Sequence, residues 1–280
     1  MDGKRSLPIG VFDSGVGGLT VLDALHEALP NEDLLYLGDT ARVPYGTKTT
    51  ASVTRYAEQA AQALYDRQIK LLVIACNTAS AAAVVPLSQL YPDIPVVGVV
   101  DPGAEASCRT TRNKRIGVIA TESTVRNQAY QTAILDREPE ATVRALACSM
   151  FVALAEEGWH SGDLVDQIVA RCLEPLLNCD QGGVDTLVLG CTHFPVLKES
   201  IGRVMGDAVT LVDSAEMTAQ AVDHALKEAG LEAESLETGN ISFLVTDGPE
   251  RFANVARHFF AKPVESGAID LVDIQHFKKV

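Results

Sequence analysis

Two cysteines stand in matching surroundings that could support acid–base or nucleophilic chemistry. Leu72-Val73-Ile74-Ala75-Cys76-Asn77-Thr78 and Leu187-Val188-Leu189-Gly190-Cys191-Thr192-His193 each run from an apolar strand into a Cys and then into polar residues. In open α/β sheets, ligands bind at the carboxyl ends of strands, where helix N-termini also point. A thiol placed there meets free N–H groups and the positive end of a helix dipole, so both thiols are expected to have lowered pKa values. Asn77 and Thr78 beside one sulfur, and Thr192 and His193 beside the other, supply donors for an anion. Two such thiols facing each other across a cleft suit inversion of a carbon that bears a hydrogen. One, as thiolate, removes the proton while the other, as thiol, delivers a proton to the opposite face. A single nucleophilic cysteine would leave the second unexplained.

The other cysteines, at 108, 148, 172 and 179, form no C-x-x-C pair, and Cys191-x-His193 has no second cluster to complete a zinc site. Neither a metal nor a disulfide framework is expected.

The elements that must position the two thiols are legible as alternating patterns. Apolar runs at 9–12, 34–37, 71–75 and 96–100 predict buried strands, separated by helical periodicity over 19–29, 49–67 and 78–90. Pro86 is expected to kink or shorten the third of these helices. The rhythm resumes with strands at 116–119, 141–147, 186–189, 210–212 and 241–245 and helices at 123–136, 163–177 and 251–260. Strands alternating with helices in this way give parallel sheets covered on both faces. Ile9-Gly10-Val11 pairs with Ile116-Gly117-Val118, and the Cys76 segment with the Cys191 segment, at offsets of 107 and 115 residues. That order predicts a duplication: two similar doubly wound α/β domains related by pseudo-symmetry. Asp101-Pro102-Gly103 and the polar run 109–115 mark a first crossing between them.

Further residues cluster at the predicted strand ends. Phe12-Asp13-Ser14-Gly15-Val16-Gly17-Gly18 is a glycine-rich turn that permits close approach to an anionic ligand, but it lacks both the dinucleotide fingerprint and a phosphate-loop Lys. Asp13 in that turn would orient a donor, relay a proton or cap the following helix. Asp39-Thr40-Ala41-Arg42-Val43-Pro44-Tyr45-Gly46 leads into a rigid turn whose N–H groups, with Tyr45 or Arg42, could meet a ligand. Thr121 begins a segment able either to bind carboxylate oxygens or to cap a helix. Glu156 lies in an acidic pair that reads as a solvated helix end.

The balance of 23 Lys and Arg against 37 Asp and Glu gives a net charge of −14, which argues against a general nucleic-acid or membrane-surface binder. A hydrophobic content of 47% excludes an extensively disordered chain. No signal peptide or membrane-length apolar run is present, so a cytoplasmic protein is expected, with a homodimer as the common oligomer.

Taken together, Val11-Phe12-Asp13-Ser14-Gly15-x-Gly17-Gly18, Gly38-Asp39-Thr40-Ala41-Arg42-x-Pro44-Tyr45-Gly46, Ala75-Cys76-Asn77-Thr78-Ala79-Ser80 and Gly190-Cys191-Thr192-His193-Phe194-Pro195 closely resemble the bacterial glutamate racemases. The similarity continues through Val212-Asp213-Ser214-Ala215-Glu216. The resemblance implies cofactor-independent interconversion of L- and D-glutamate, which supplies D-glutamate for peptidoglycan. It also implies that the chain returns to its first domain, giving residues 1–100 with 212–280 as one α/β domain and 101–211 as the other, the active site lying between them. Cys76 would act on D-glutamate and Cys191 on L-glutamate. Asp13 and His193 would assist the neighbouring thiols, with weaker catalytic roles for Asp39 and Glu156. Asp13, Ser14, Tyr45, Gly46, Asn77, Thr78, Thr121, Thr192 and His193 would hold the substrate. The family more often has prolines where this chain reads Cys148–Ala153. Its short lead before Ile9 differs from relatives that need a cell-wall precursor as activator.

Alternatives remain open on the residues alone. They are a two-cysteine racemase of aspartate, a non-catalytic binder of acidic metabolites, a partner of a DNA topoisomerase, and a thiol hydrolase using one Cys–His pair.

Overall fold

The apolar runs become parallel strands in two sheets, seen in a computed structural model that describes residues 2–177, 182–235 and 237–275. The strands are β1 (Ile9–Asp13), β2 (Leu34–Gly38), β3 (Leu71–Ile74), β4 (Val96–Gly98), β5 (Arg115–Ala120), β6 (Thr142–Ala147), β7 (Thr186–Gly190), β8 (Thr210–Asp213), β9 (Ile241–Val245) and β10 (Ile269–Leu271). One sheet has the order β10-β9-β2-β1-β3-β4 and the other β6-β5-β7-β8. Ile9 lies opposite both Leu34 and Leu71, as Ile116 lies opposite both Val143 and Thr186. In each half the first strand therefore sits between the second and the third, and the fourth lies outside the third. The repeat seen in the sequence is a repeat of topology. Cys76 follows β3 and Cys191 follows β7, at equivalent places beside the point where strand order reverses, which is where such sheets bind ligands.

Why the strands read as unbroken apolar runs is visible in their packing. In β3, Leu71 and Val73 enter the core on one face while Leu72 and Ile74 enter the core on the other. In β7, Leu187 and Leu189 split from Val188 in the same way. A strand covered on both faces has no solvent side on which to place polar residues.

Residues after β8 bring the chain back, so that β9 and β10 extend the first sheet beside β2. The expected crossing near residue 212 falls at the end of β8, Asp213, which still belongs to the second sheet.

Several expectations are corrected. The helix Asn77–Leu90 is not shortened at Pro86 but runs on through it. The proline leaves the Ala82 carbonyl without its usual helical donor, and the Thr54 hydroxyl donates to that carbonyl at 3.2 Å. The helix expected over 123–136 is two helices, Glu122–Arg126 and Ala129–Arg137, broken where Gln128 adopts φ +53°. The C-terminal helix is Pro249–Ala256, shorter than 251–260, although Phe259 and Phe260 beyond it are still buried. Cys179 lies outside the described residues.

Far from the cysteines, Lys70 and Glu32 form a buried ion pair at 2.5 Å, joining the turns that precede β3 and β2. Lys70 also donates to the Arg5 carbonyl, and Glu32 accepts from the Ala233 N–H. Removing one member of such a pair strands the other charge in the interior. Lys70→Met is expected to lower unfolding stability by about 3 kcal/mol, read as a fall in urea midpoint. An unchanged midpoint would show that the pair contributes nothing.

Candidate active site

Between the carboxyl ends of the two sheets lies a cavity of about 400 Å³ into which both Cys76 and Cys191 face. Ser14, Tyr45, Gly46, Asn77, Thr78, Thr121, Thr192 and His193 all line it, as does Glu156. Asp13 and Asp39 stand behind the wall. The lining contains no Lys or Arg, so the polar groups available to an anion are backbone N–H groups, hydroxyls, the Asn77 amide and His193. Among the described residues, no group of three or more His, Cys, Asp and Glu side chains is placed to hold a metal ion.

Cys76 caps the helix Asn77–Leu90, its Sγ accepting from the Ala79 N–H at 3.4 Å. The expected lowering of this thiol is overturned. Burial, followed by the negative charge of Asp13, pushes Cys76 up to about 12; the Ser14 hydroxyl and the Ala79 N–H offset this only in part. Desolvation outweighs the helix terminus because the whole thiol is enclosed, and the charged form is what loses water.

Asp13, at the end of β1, accepts from the Gly15 N–H at 2.8 Å, so it organises the glycine turn. Its other oxygen has no hydrogen-bond partner among the described residues. Burial raises its pKa, against the opposing influence of His193 and of the turn's N–H groups.

The second thiol is supported differently. No α-helix starts at Cys191: a 3₁₀ turn, Phe194–Leu197, comes first and the helix proper begins at Lys198. His193 takes the supporting place. Its Nδ1 lies 3.9 Å from the Cys191 sulfur and its Nε2 lies 3.1 Å from Glu156 Oε1. Burial lowers the His193 pKa, but the hydrogen bonds to Cys191 and Glu156, together with their charges, outweigh it and bring the imidazole to about 10. Glu156 is correspondingly lowered, first by its hydrogen bond to His193. Glu156 is thus no solvated helix end but the outer member of a Cys191–His193–Glu156 chain. Arg251, from the C-terminal helix, lies 3.6 Å from its other oxygen, and the ring of Phe259 packs edge-on against His193 at 5.1 Å. These two residues are separated from the Cys191 segment by some 60 positions, and no local pattern marks them.

Asp39 is spent on structure. It accepts from Tyr45 and Arg42 through one oxygen and from Thr246 through the other, fixing the loop that presents Tyr45 and Gly46 to the cavity. Neither Asp39 nor Arg42 lines the cavity, and Arg42 is an ion-pair partner of Asp39 lying over the Tyr56 ring.

Thr121 lines the cavity and also takes the capping role considered for it. It caps the helix Glu122–Arg126, and its hydroxyl lies 2.8 Å from that of Thr78 across the cleft.

The fold and the cleft define a two-lobed α/β protein with paired thiols, and comparison with known proteins places it. The family model for Asp/Glu/hydantoin racemases matches residues 9–222, and the chain belongs to that family. Within it, the glutamate racemase of Geobacter metallireducens is 52% identical over 251 residues, covering 90% of this chain and 92% of that protein. The glutamate racemase of Neisseria meningitidis serogroup A is 44% identical over 270 residues, covering 96% and 98%. The crystal structure of glutamate racemase from Francisella tularensis in complex with D-glutamate superposes with a TM-score of 0.90 at 35% identity, over 98% of this chain and all of that one. The enzyme class is that of the isomerases.

Proposed function

We propose that this protein interconverts L- and D-glutamate without a cofactor, by two-base proton transfer at the α-carbon between Cys76 and Cys191. The observation that carries the reading is the pair of thiols, at topologically equivalent strand ends, lining one cavity. The lobes would be the two domains, residues 1–100 with 212–280 and 101–211, and the cleft would be the seam between them.

In the L-to-D direction the Cys191 sulfur takes the α-proton while the Cys76 thiol gives one to the opposite face. The two cysteines end with their protonation states exchanged, and the reverse reaction starts from that state. The protonated Cys76 at neutral pH suits the donor's part. Imidazolium at His193, held by Glu156, stands ready to compensate charge on the Cys191 sulfur. The substrate carboxylates would rest on the Asn77 amide, the Ser14, Thr78, Thr121 and Thr192 hydroxyls and the turn that follows Pro44. The α-hydrogen is very weakly acidic, so aligned donors in a water-poor cleft must stabilise the carbanionic transition state. The product would supply D-glutamate for peptidoglycan in the cytoplasm. Among the described residues no helix is long and apolar enough to cross a membrane.

The relay gives a pH prediction. Glu156 raises the His193 pKa, so Glu156→Gln must lower it, and the imidazolium is then lost at lower pH. The alkaline limb of kcat/KM is expected to move down by roughly one pH unit, the usual size for loss of a neighbouring opposite charge. An unmoved limb would remove Glu156 from the relay.

The functional reading itself is tested by following the optical rotation of L- and of D-glutamate with purified protein and no added cofactor. Both should decay to the racemate. Faster turnover of aspartate would reassign the substrate, and the absence of any racemisation would overturn the proposal.

A further inference from the structure

We infer that Tyr130, which lies outside the cavity, is a positioning residue that fixes the Asn77 amide so that its –NH₂ faces the cleft and receives a substrate carboxylate. This inference rests on the racemase reading above and adds to it a residue from the opposite lobe.

Asn77 is the first residue of the helix that Cys76 caps, lines the cavity and is only 2% exposed. The Tyr130 hydroxyl donates to its Oδ1 at 2.7 Å, whereas its Nδ2 has no hydrogen-bond partner among the described residues. A buried amide nitrogen carries two donors, and leaving them unused is costly unless something else accepts from them. Asn77 lines the cavity, so the acceptor expected for its –NH₂ is an anionic oxygen of a ligand bound there.

The amide can turn over by rotation about its last bond, and Tyr130 decides which way it points. The Ser214 side chain lies beside the phenol and works to lower its pKa, though burial outweighs it. The phenol proton is donated to Asn77 Oδ1. Burial raises the Tyr130 pKa, so the phenol remains a donor throughout the working pH range.

Its ring is equally well held. Tyr130 is fully buried on the helix Ala129–Arg137 of the second lobe, and a Cβ at Gly190 would come within 2.9 Å of its ring edge. Gly190 is the residue before Cys191 and Asn77 the residue after Cys76. One side chain therefore touches both cysteine-bearing strand ends, and glycine at 190 is what lets the ring approach.

The test is steady-state kinetics on Tyr130→Phe, Asn77→Ala and the double variant, with L- and D-glutamate. Tyr130→Phe keeps the ring and removes only the hydroxyl. KM is expected to rise roughly three- to tenfold, the size of one net hydrogen bond, with kcat within about twofold of wild type. In the Asn77→Ala background the same substitution is expected to change KM by less than about twofold, since the group it orients is gone. A purely structural tyrosine would instead lower the melting temperature and add its full effect in both backgrounds, which would overturn the inference. So would an unchanged KM. If Tyr130→Phe does not fold, Ser214→Ala alters the surroundings of the same hydroxyl without touching the ring. It should raise KM about twofold, and only while Asn77 is present; an unchanged KM or a rise independent of Asn77 would count against the inference. A wild-type protein that does not racemise glutamate would overturn the functional reading on which this rests, whereas an active wild type with unaffected variants would overturn the role of Tyr130 alone.

Discussion

Replacing either Cys76 or Cys191 by alanine is expected to lower kcat/KM for glutamate racemisation by about a thousandfold or more, in both directions. Positioned general acids and bases contribute roughly 10²- to 10⁴-fold each, and here the two act in a single displacement of hydrogen. Because the enantiomers are equal in free energy, a lesion on one side must slow both directions of turnover alike. The losses should not add: removing the second thiol from a protein already lacking the first should cost little more. Mixing the two single variants should restore nothing, because both sulfurs line a cavity built within one chain. A single variant with near wild-type activity would end the two-base account. A hydrolase using only the Cys191–His193 pair would show itself by dispensing with Cys76.

Gly17→Ala is expected to cost about a hundredfold in activity although residue 17 carries no reactive group. A Cβ built there would lie 2.4 Å from both His193 Nδ1 and the Thr192 hydroxyl, far inside contact distance. The imidazole cannot simply step aside, since it is held by Glu156 on one edge and by Phe259 against its face. Either the ring leaves Cys191 or the glycine turn lifts and carries Asp13 and Ser14 away from Cys76. A displacement of about an ångström in such groups is worth roughly 10²-fold in rate. The check is kinetics alongside circular dichroism: a folded Gly17→Ala protein with full activity would show that the two lobes do not need this close approach.

Much of this arrangement was legible in the sequence because it is local. The strand-then-cysteine segments around Cys76 and Cys191 carried both the positions of the thiols and the duplicated topology, and family resemblance pointed to most of the residues that line the cavity. What could not be read locally were the interactions between distant segments. Burial and the charge of Asp13 raise the Cys76 pKa, opposite to the direction that the helix terminus alone suggests. Glu156 resembled any solvated acid until His193, some 37 positions on, was found against it. Asp39 gave no local sign that one of its oxygens is held by Arg42 and Tyr45 of its own loop and the other by Thr246, which follows β9. Pro86 suggested a kinked or shortened helix because Thr54, which donates to the freed carbonyl, lies on another helix. Strand β10 went unread because its three residues, with Asp270 in the middle, carry no alternation long enough to detect.

The most direct measurement is the fate of the α-hydrogen when L-glutamate is turned over in heavy water and stopped at low conversion. With Cys191 removing protium from one face and Cys76 delivering a solvent-derived deuteron to the other, the D-glutamate formed should carry deuterium while the remaining L-glutamate keeps its protium. Chiral separation followed by mass spectrometry reads both pools at once. Protium carried over into the D-glutamate, or deuterium appearing equally in both enantiomers from the start, would mean that a single base serves both faces and would contradict the account.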